Sequence, residues 1–142
     1  MTRINAVPVE ELSDQHLIRE YNELPRCIKQ PLNIKDAPDT YTLGTGHMKW
    51  GRKHWHLLLK RYGQLCKELK YRGFNTNYTA KSLKDFWYAT YPDIPLVKYH
   101  FTEQDIKVSR QRLKEKIALK PNWYRWTLRP VPKYVRRLKK CA

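Results

Sequence analysis

The pattern of apolar and polar positions along the chain predicts three long helices separated by irregular segments. Ser13, with Leu12 before it, is a candidate N-cap, so we expect the first helix to begin at about Asp14. Its apolar side holds Leu17, Ile18, Tyr21, Leu24 and Ile28, and its polar side holds Gln15, His16, Arg19, Glu23 and Arg26. Pro25 predicts a bend beside Glu23. The polar side is either an ordinary solvated surface or a functional site, and periodicity alone does not separate the two.

The second helix is predicted over residues 47–72, with Gly73 as its stop. Its helical repeat consists of Trp55, Leu58, Leu59, Tyr62, Leu65, Cys66 and Leu69. Residues 30–45 and 74–101 are expected to be irregular, apart from a short helix at about residues 82–88.

A third helix is predicted to begin at a capping box formed by Thr102 and Asp105, and it must end before the proline that follows. Arg112 and Lys116 lie four residues apart on the flank of this helix. Both could contact one track of phosphates, whereas ion pairing with Glu115 or nearby acids explains them equally well.

The composition indicates a polyanionic partner. The chain has 142 residues, and its 29 Lys and Arg against 13 Asp and Glu give a net charge of +16, spread along the whole length. Nucleic acid is the default partner for such a charge. There is no apolar run of about 18 residues and no signal-peptide pattern, so we expect no membrane association and an intracellular location, in host cytoplasm or nucleoid if the protein is viral. The length predicts a single domain over residues 1–142, with a basic tail from about residue 127.

Cysteine and histidine spacing gives no sign of a metal site. Cys27, Cys66 and Cys141 are odd in number and widely separated, which argues against a disulfide framework and against a zinc site. His54 and His56 lack the helical spacing and the carboxylate company of a metal-binding pair. We therefore predict reduced thiols and no metal.

The C-terminal part of the chain alternates aromatic and cationic residues. Trp123, Tyr124, Arg125 and Trp126 could stack against an exposed base or sugar, although a place in the core explains any single aromatic residue as well. Further along, we expect a mobile basic tail that contacts phosphates, formed by Arg136, Arg137, Lys139 and Lys140.

Thr2 is a candidate nucleophile. A small residue after the initiator methionine is the context in which aminopeptidases remove Met1, which would free the Thr2 α-amine. Such an amine has a pKa of about 7.7 to 8.0, against about 10.4 for lysine, so part of it is neutral at pH 7. It can attack a sugar carbon and form a Schiff base if a second group handles protons, and Glu23 is the candidate for that group.

Several short segments resemble one known family. MTRIN opens the chain, DQHL and ELPR lie in the first helix, and LGTGH, RGFN and RLKEKIA with a later proline and WY follow in the same order. With these segments the chain resembles the T-even-phage pyrimidine-dimer DNA glycosylases and apurinic-site lyases, the phage endonuclease V family. MTRIN together with ELPR is the specific part, because it combines the terminal nucleophile with its carboxylate partner.

The resemblance implies an all-α fold: one compact domain of three main helices with irregular loops, whose N-terminal segment is threaded between helices so that Thr2 lies close to Glu23. It implies that the Thr2 amine attacks the anomeric carbon at the 5′ side of a cyclobutane pyrimidine dimer. The base leaves, an imine remains, and β-elimination cuts the strand. Glu23 would steer protons and stabilise the cationic sugar. The partner would be damaged double-stranded DNA with a flipped base, bound without a cofactor by a monomer.

The resemblance also implies a DNA-binding set, namely Arg3, Gln15, His16, Arg26, Arg112, Lys116, Trp123 and Tyr124, to which Asn22 and Arg125 are added from their positions. Asn22 stands where the family has an arginine that contacts DNA, which leaves two alternatives open. One is a glycosylase and lyase for a different damaged base or for abasic sites alone. The other is a noncatalytic basic DNA-binding protein.

Overall fold

Helices make up the regular structure of this chain. A computed structural model describes residues 3–29, 34–77, 79–91, 93 and 95–141. Its elements are a short 3-10 helix (Val9–Glu11) and six α-helices: α1 (Asp14–Lys29), α2 (His47–Lys53), α3 (Trp55–Tyr71), α4 (Ala80–Thr90), α5 (Glu103–Leu119) and α6 (Lys133–Cys141). The described residues contain no strand, which confirms the expected all-α class. None of these helices is long and apolar enough to span a membrane.

Helix α1 begins at Asp14, as its capping pattern predicts. The His16 N–H donates to Ser13 Oγ at 3.1 Å, which satisfies one of the free amides of the first turn. The helix continues through Pro25 to its end. Its apolar side faces the core through Leu17, Tyr21, Leu24 and Ile28, whereas Ile18 is 36% exposed.

The single helix expected over residues 47–72 is two helices in the structure, so that expectation is wrong. His54, between α2 and α3, has a non-helical backbone at φ −102° and ψ 44°. Its buried imidazole bonds through Nδ1 to the Val97 carbonyl at 3.1 Å, and Trp55 Nε1 donates to the Pro95 carbonyl at 3.2 Å. These bonds to a distant loop accompany the break, and a hydrophobic repeat carries no information about them.

The end of α3 follows the sequence prediction. Gly73 has φ +89°, in the left-handed region that favours glycine. Its N–H donates to the Lys70 carbonyl at 3.1 Å, and the Phe74 N–H donates to the Leu69 carbonyl at 2.9 Å. The two bonds form a Schellman C-cap.

Capping boxes open α4 and α5. Thr79 and Ser82 form one at the start of α4, which contains the short helix expected at about residues 82–88 and extends it at both ends. Thr102 and Asp105 form the other, as predicted: Thr102 Oγ1 accepts from the Asp105 N–H, and the Asp105 carboxylate accepts from the Thr102 N–H. The first residues of both helices are therefore determined by the local sequence.

The main core lies between α1, α3 and α4, with α2 and α5 packed beside it. Its largest fully buried side chains include Trp50, Trp87, Tyr62, Leu12, Leu17, Leu24, Leu58 and Leu65. A second, smaller cluster joins α5 to α6 through Ile117, Trp126 and Val135. The chain thus forms one compact helical domain.

Residues 133–141 form α6 rather than the tail that their charge suggests. Val135 is fully buried, and Tyr134 and Leu138 are partly buried against the same cluster. Lys133, Arg136 and Arg137 are exposed. An apolar stripe of three residues within this basic segment is enough to dock the helix. A prediction based on the charge of the segment does not detect such a stripe.

The N-terminal segment contacts three of the helices. The Asn5 N–H donates to Glu20 of α1 at 3.2 Å, and the Ala6 N–H donates to Ser109 Oγ of α5 at 3.0 Å. Arg61 of α3 donates to the Val7 carbonyl at 2.6 Å. Successive peptide units are therefore fixed by different helices.

Candidate active site

A cleft of about 270 Å³ lies between the N-terminal segment, α1, α5 and the segment after α5. The described residues that line it are Arg3, Asn5, His16, Arg19, Glu20, Glu23, Arg112, Lys116 and Tyr124. Four are cationic and two are carboxylates, so the cleft combines a surface suited to phosphate with groups able to carry protons.

Glu20 is one of the two carboxylates, and its oxygens are occupied. It is 1% exposed. Arg61 Nε donates to Oε2 at 2.6 Å and Nη2 to Oε1 at 3.2 Å, while Asn5 Nδ2 donates to Oε1 at 2.8 Å. This bidentate buried pair fixes Asn5 to α1 and leaves Glu20 as a structural anchor.

Glu23, one turn further along α1, is the second carboxylate. It forms an ion pair with Arg19 Nε at 3.5 Å, and the side chains of Arg19 and Glu23 are 73% and 12% exposed. A pair with so exposed a cation contributes little binding energy and opens easily. Glu23 is therefore the carboxylate in the cleft that is available for chemistry.

His16 lies on the wall of the cleft beside Tyr124. The two rings stack at 4.8 Å with an interplanar angle of 13°. Burial, reinforced by the positive charges of Arg112, Arg19 and Lys116, lowers the pKa of His16 to about 4. At neutral pH the imidazole is uncharged.

Arg112 and Lys116 of α5 both line the cleft. Lys116 is exposed and Arg112 is partly buried. Burial and the nearby Arg3 guanidinium lower the pKa of Arg112. A cation held close to another cation and partly out of water is well suited to bind a phosphate.

Gln15 fastens the segment after α5 to the start of α1. Its Nε2 donates to the Trp123 carbonyl at 2.9 Å, and its Oε1 accepts from the Arg125 N–H at 3.1 Å. Trp123 packs edge-on against Tyr124 at 5.0 Å and remains 57% exposed. Gln15 thus holds the backbone of Trp123, whose exposed ring packs beside the cleft residue Tyr124, and the contact of Gln15 with DNA stays a prediction.

Four further residues were predicted for the site. Thr2 is outside the described residues. Asn22 and Arg26 are exposed on α1, and Arg125 is exposed after α5, but the cleft lining does not include them. Their roles stay predictions. Within the described part of the chain, no group of three or more His, Cys, Asp or Glu side chains is arranged to hold a metal ion.

Sequence reasoning missed Asn5, Glu20 and Arg61. Glu20 and Arg61 fall among buried positions of α1 and α3, at 1% and 3% exposure. A charged residue within an apolar repeat is a sign of a buried partner, because an unpaired charge there is costly. That signal could have identified both residues, although it would not have paired them.

The neutral imidazoles of His16 and His47 predict an acid-sensitive fold. Burial is the main reason that each has a pKa of about 4 instead of 6.5. Between these values the unfolded chain binds more protons than the folded chain, so stability should fall as pH drops from about 6.5 to about 4. The slope should reach about 1.4 kcal/mol per pH unit for each histidine, measured by urea unfolding.

Two variants test this slope. His16→Gln and His47→Gln should each flatten it, while replacement of the exposed His56 by Gln should not, because the partly buried His16 and the buried His47 stay in place. An unchanged slope in both His16→Gln and His47→Gln would contradict the assignment.

An all-helical domain with a cationic cleft around an available carboxylate is typical of an enzyme that acts on nucleic acid. The family model described as pyrimidine dimer DNA glycosylase matches residues 1–82. The chain belongs to this family, and it is a DNA repair glycosylase. The match includes α1 with Glu20 and Glu23, whereas Arg112, Lys116 and Tyr124 lie beyond it.

Proposed function

We propose that the protein excises the 5′ base of cyclobutane pyrimidine dimers in duplex DNA and then cuts the strand as a lyase. The α-amine of Thr2 attacks C1′ of the sugar, the glycosidic bond breaks, and the base leaves. The C1′–O4′ bond then opens, with O4′ taking a proton, to give an iminium. The iminium loses a proton from C2′, and the 3′ phosphate leaves by β-elimination. We propose further that no cofactor takes part and that the active species is a monomer.

The observation that carries this proposal is the difference between the two cleft carboxylates. Glu20 is neutralised by Arg61, whereas Glu23 pairs only loosely with the exposed Arg19. A carboxylate that is not neutralised by a buried cation can stabilise a cationic sugar and accept the C2′ proton.

The reach of the chain supports Thr2 as the nucleophile. Asn5 is fixed to Glu20, and residues three apart on a helix lie about 5 to 6 Å from one another at Cβ. Three extended residues before Asn5 span at most about 10 to 11 Å. The chain between Asn5 and the Thr2 amine is therefore long enough to span the distance to Glu23.

The remaining cleft residues suit the DNA. Arg3, Arg112 and Lys116 can hold the backbone phosphates on either side of the lesion. Trp123 offers an exposed aromatic ring next to Tyr124, on which an unstacked base could lie. A dimer already weakens pairing and stacking, which lowers the cost of flipping a base.

Borohydride trapping tests the proposal. The protein is incubated with dimer-containing, abasic and undamaged duplexes and reduced, and intact mass establishes which N-terminus is present. With a free Thr2 amine, adducts are expected on the dimer and abasic duplexes. Selective acetylation of that amine should reduce trapping to background while DNA binding, followed by anisotropy, stays about the same.

Each other outcome points to a different function. Trapping that survives acetylation indicates a lysine nucleophile and removes Thr2 from the mechanism. An adduct on abasic DNA alone supports the alternative lesion that Asn22 suggests. No adduct on either damaged duplex supports a noncatalytic DNA-binding protein.

A further inference from the structure

The backbone of Ile4 is held on both sides by buried side chains. Its N–H donates to His47 Nε2 at 2.8 Å, and its carbonyl accepts from the Tyr41 hydroxyl at 2.5 Å. Ile4 is fully buried, and His47 and Tyr41 are 2% and 9% exposed. Two peptide units separate Ile4 from Thr2, a span of at most about 7 Å.

The hydrogen bonds of His47 establish its tautomer. Nδ1 faces the Thr42 carbonyl, which can only accept, so Nδ1 carries the hydrogen. Nε2 therefore presents a lone pair to the Ile4 N–H. Burial lowers the pKa of His47 to about 4, so the imidazole is neutral and able to accept at physiological pH.

The LGTGH segment is shaped to hold His47 in this position. Gly46 has φ +93°, and a Cβ there would lie 3.1 Å from Pro38 Cγ, so only glycine suits the turn. His47 is the first residue of α2, where its ring stacks on Trp50 at 5.7 Å and meets Tyr41 edge-on at 5.7 Å. Rings packed on two sides leave the imidazole little freedom to turn.

We propose that His47, together with Tyr41, is a positioning residue that fixes the direction from which the Thr2 amine enters the cleft. The inference rests on the proposed function and assigns a role to the LGTGH segment. An error of about 1 Å in the approach of a nucleophile costs about 100-fold in rate. His47 and Tyr41 hold the backbone two peptide units from the amine, so they act on that geometry without touching DNA.

His47→Phe is the main test, because phenylalanine keeps the ring packing and removes the acceptor. His54→Phe is the matched control: His54 is also 2% exposed and packs on Trp50, but it bonds to Val97 instead of the N-terminal segment. Tyr41→Phe removes only the hydroxyl, and His47→Gln restores an acceptor at the position of Nε2. The last two variants keep the test valid if His47→Phe folds poorly.

Three quantities are measured for each variant. They are the trapping rate on saturating abasic duplex, the Kd for that duplex, and the hydrogen exchange of the Ile4 amide by NMR. His47→Phe is expected to lower the saturated rate by roughly 10- to 100-fold with Kd within about 3-fold. Exchange at Ile4 should accelerate, His47→Gln should recover part of the rate, and His54→Phe should stay near wild type.

Equal losses in His47→Phe and His54→Phe would mean general damage to the core and would overturn the inference. It would also be overturned by an unchanged trapping rate, or by an Ile4 amide that stays protected in His47→Phe. Failure of the proposed function looks different. The wild type would then give no adduct, while the Ile4 amide would still exchange faster in His47→Phe than in the wild type.

Discussion

Glu23→Gln is expected to lower the rate of base excision from a dimer-containing duplex by about 10²- to 10⁴-fold, the usual contribution of a positioned acid or base. The change keeps the shape of the side chain and removes its charge and its ability to accept a proton. Binding of damaged DNA should persist, because Arg3, Arg112 and Lys116 still line the cleft. Single-turnover excision and anisotropy measure the two effects separately.

The control is Glu115→Gln on α5, whose carboxylate is exposed and accepts from Gln111 at 3.1 Å. It removes the same charge outside the cleft and should leave the excision rate near that of the wild type. Normal turnover in Glu23→Gln would remove this carboxylate from the mechanism.

The second large effect is expected on stability, from Glu20→Ala. This change leaves the Arg61 guanidinium, at 3% exposure, without its bidentate partner. Breaking a buried ion pair at one end typically costs about 3 to 5 kcal/mol, because the remaining charge is uncompensated. For a domain of this size, that corresponds to a fall in Tm of roughly 10 to 17 °C. Urea unfolding followed by circular dichroism gives the free energy directly.

Asp39→Ala is the matched control. Asp39 forms an ion pair with Lys53, but its side chain is 86% exposed, so its loss should leave stability unchanged within error. A Glu20→Ala protein as stable as this control would show that water or another group compensates Arg61. Glu20→Ala should also loosen Asn5, and a rise in the hydrogen exchange of the Asn5 amide would report it.

The parts of the fold that the sequence predicted are those set by local chemistry. The start of α1 at Asp14, the capping box of α5 and the glycine stop of α3 depend on residues within one or two turns. The break at His54 was missed because it accompanies bonds to residues forty or more positions away. The docking of α6 was missed because Val135 sits within a basic run.

The candidate site was likewise predicted only where local spacing determines it. Helical spacing brought His16 and Glu23 together, and it placed Arg112 near Lys116, and all four line one cleft. The contacts that join Asn5, Glu20 and Arg61 were not predicted. They link the N-terminal segment, α1 and α3, which are far apart in sequence, and no local pattern encodes such pairing. The assignment of Thr2 rests on the resemblance and on amine chemistry, and its test is the trapping experiment.

The two walls of the cleft come from different parts of the chain. The wall that carries Glu23 lies within residues 1–82, the portion that the family model matches, whereas Arg112, Lys116 and Tyr124 follow it. The proposed chemistry depends on residues within the matched portion, whereas two of the cations proposed to hold the DNA backbone lie beyond it. Exchanging residues 103–126 between family members should therefore change the affinity for DNA while the proposed amine and its carboxylate stay in place.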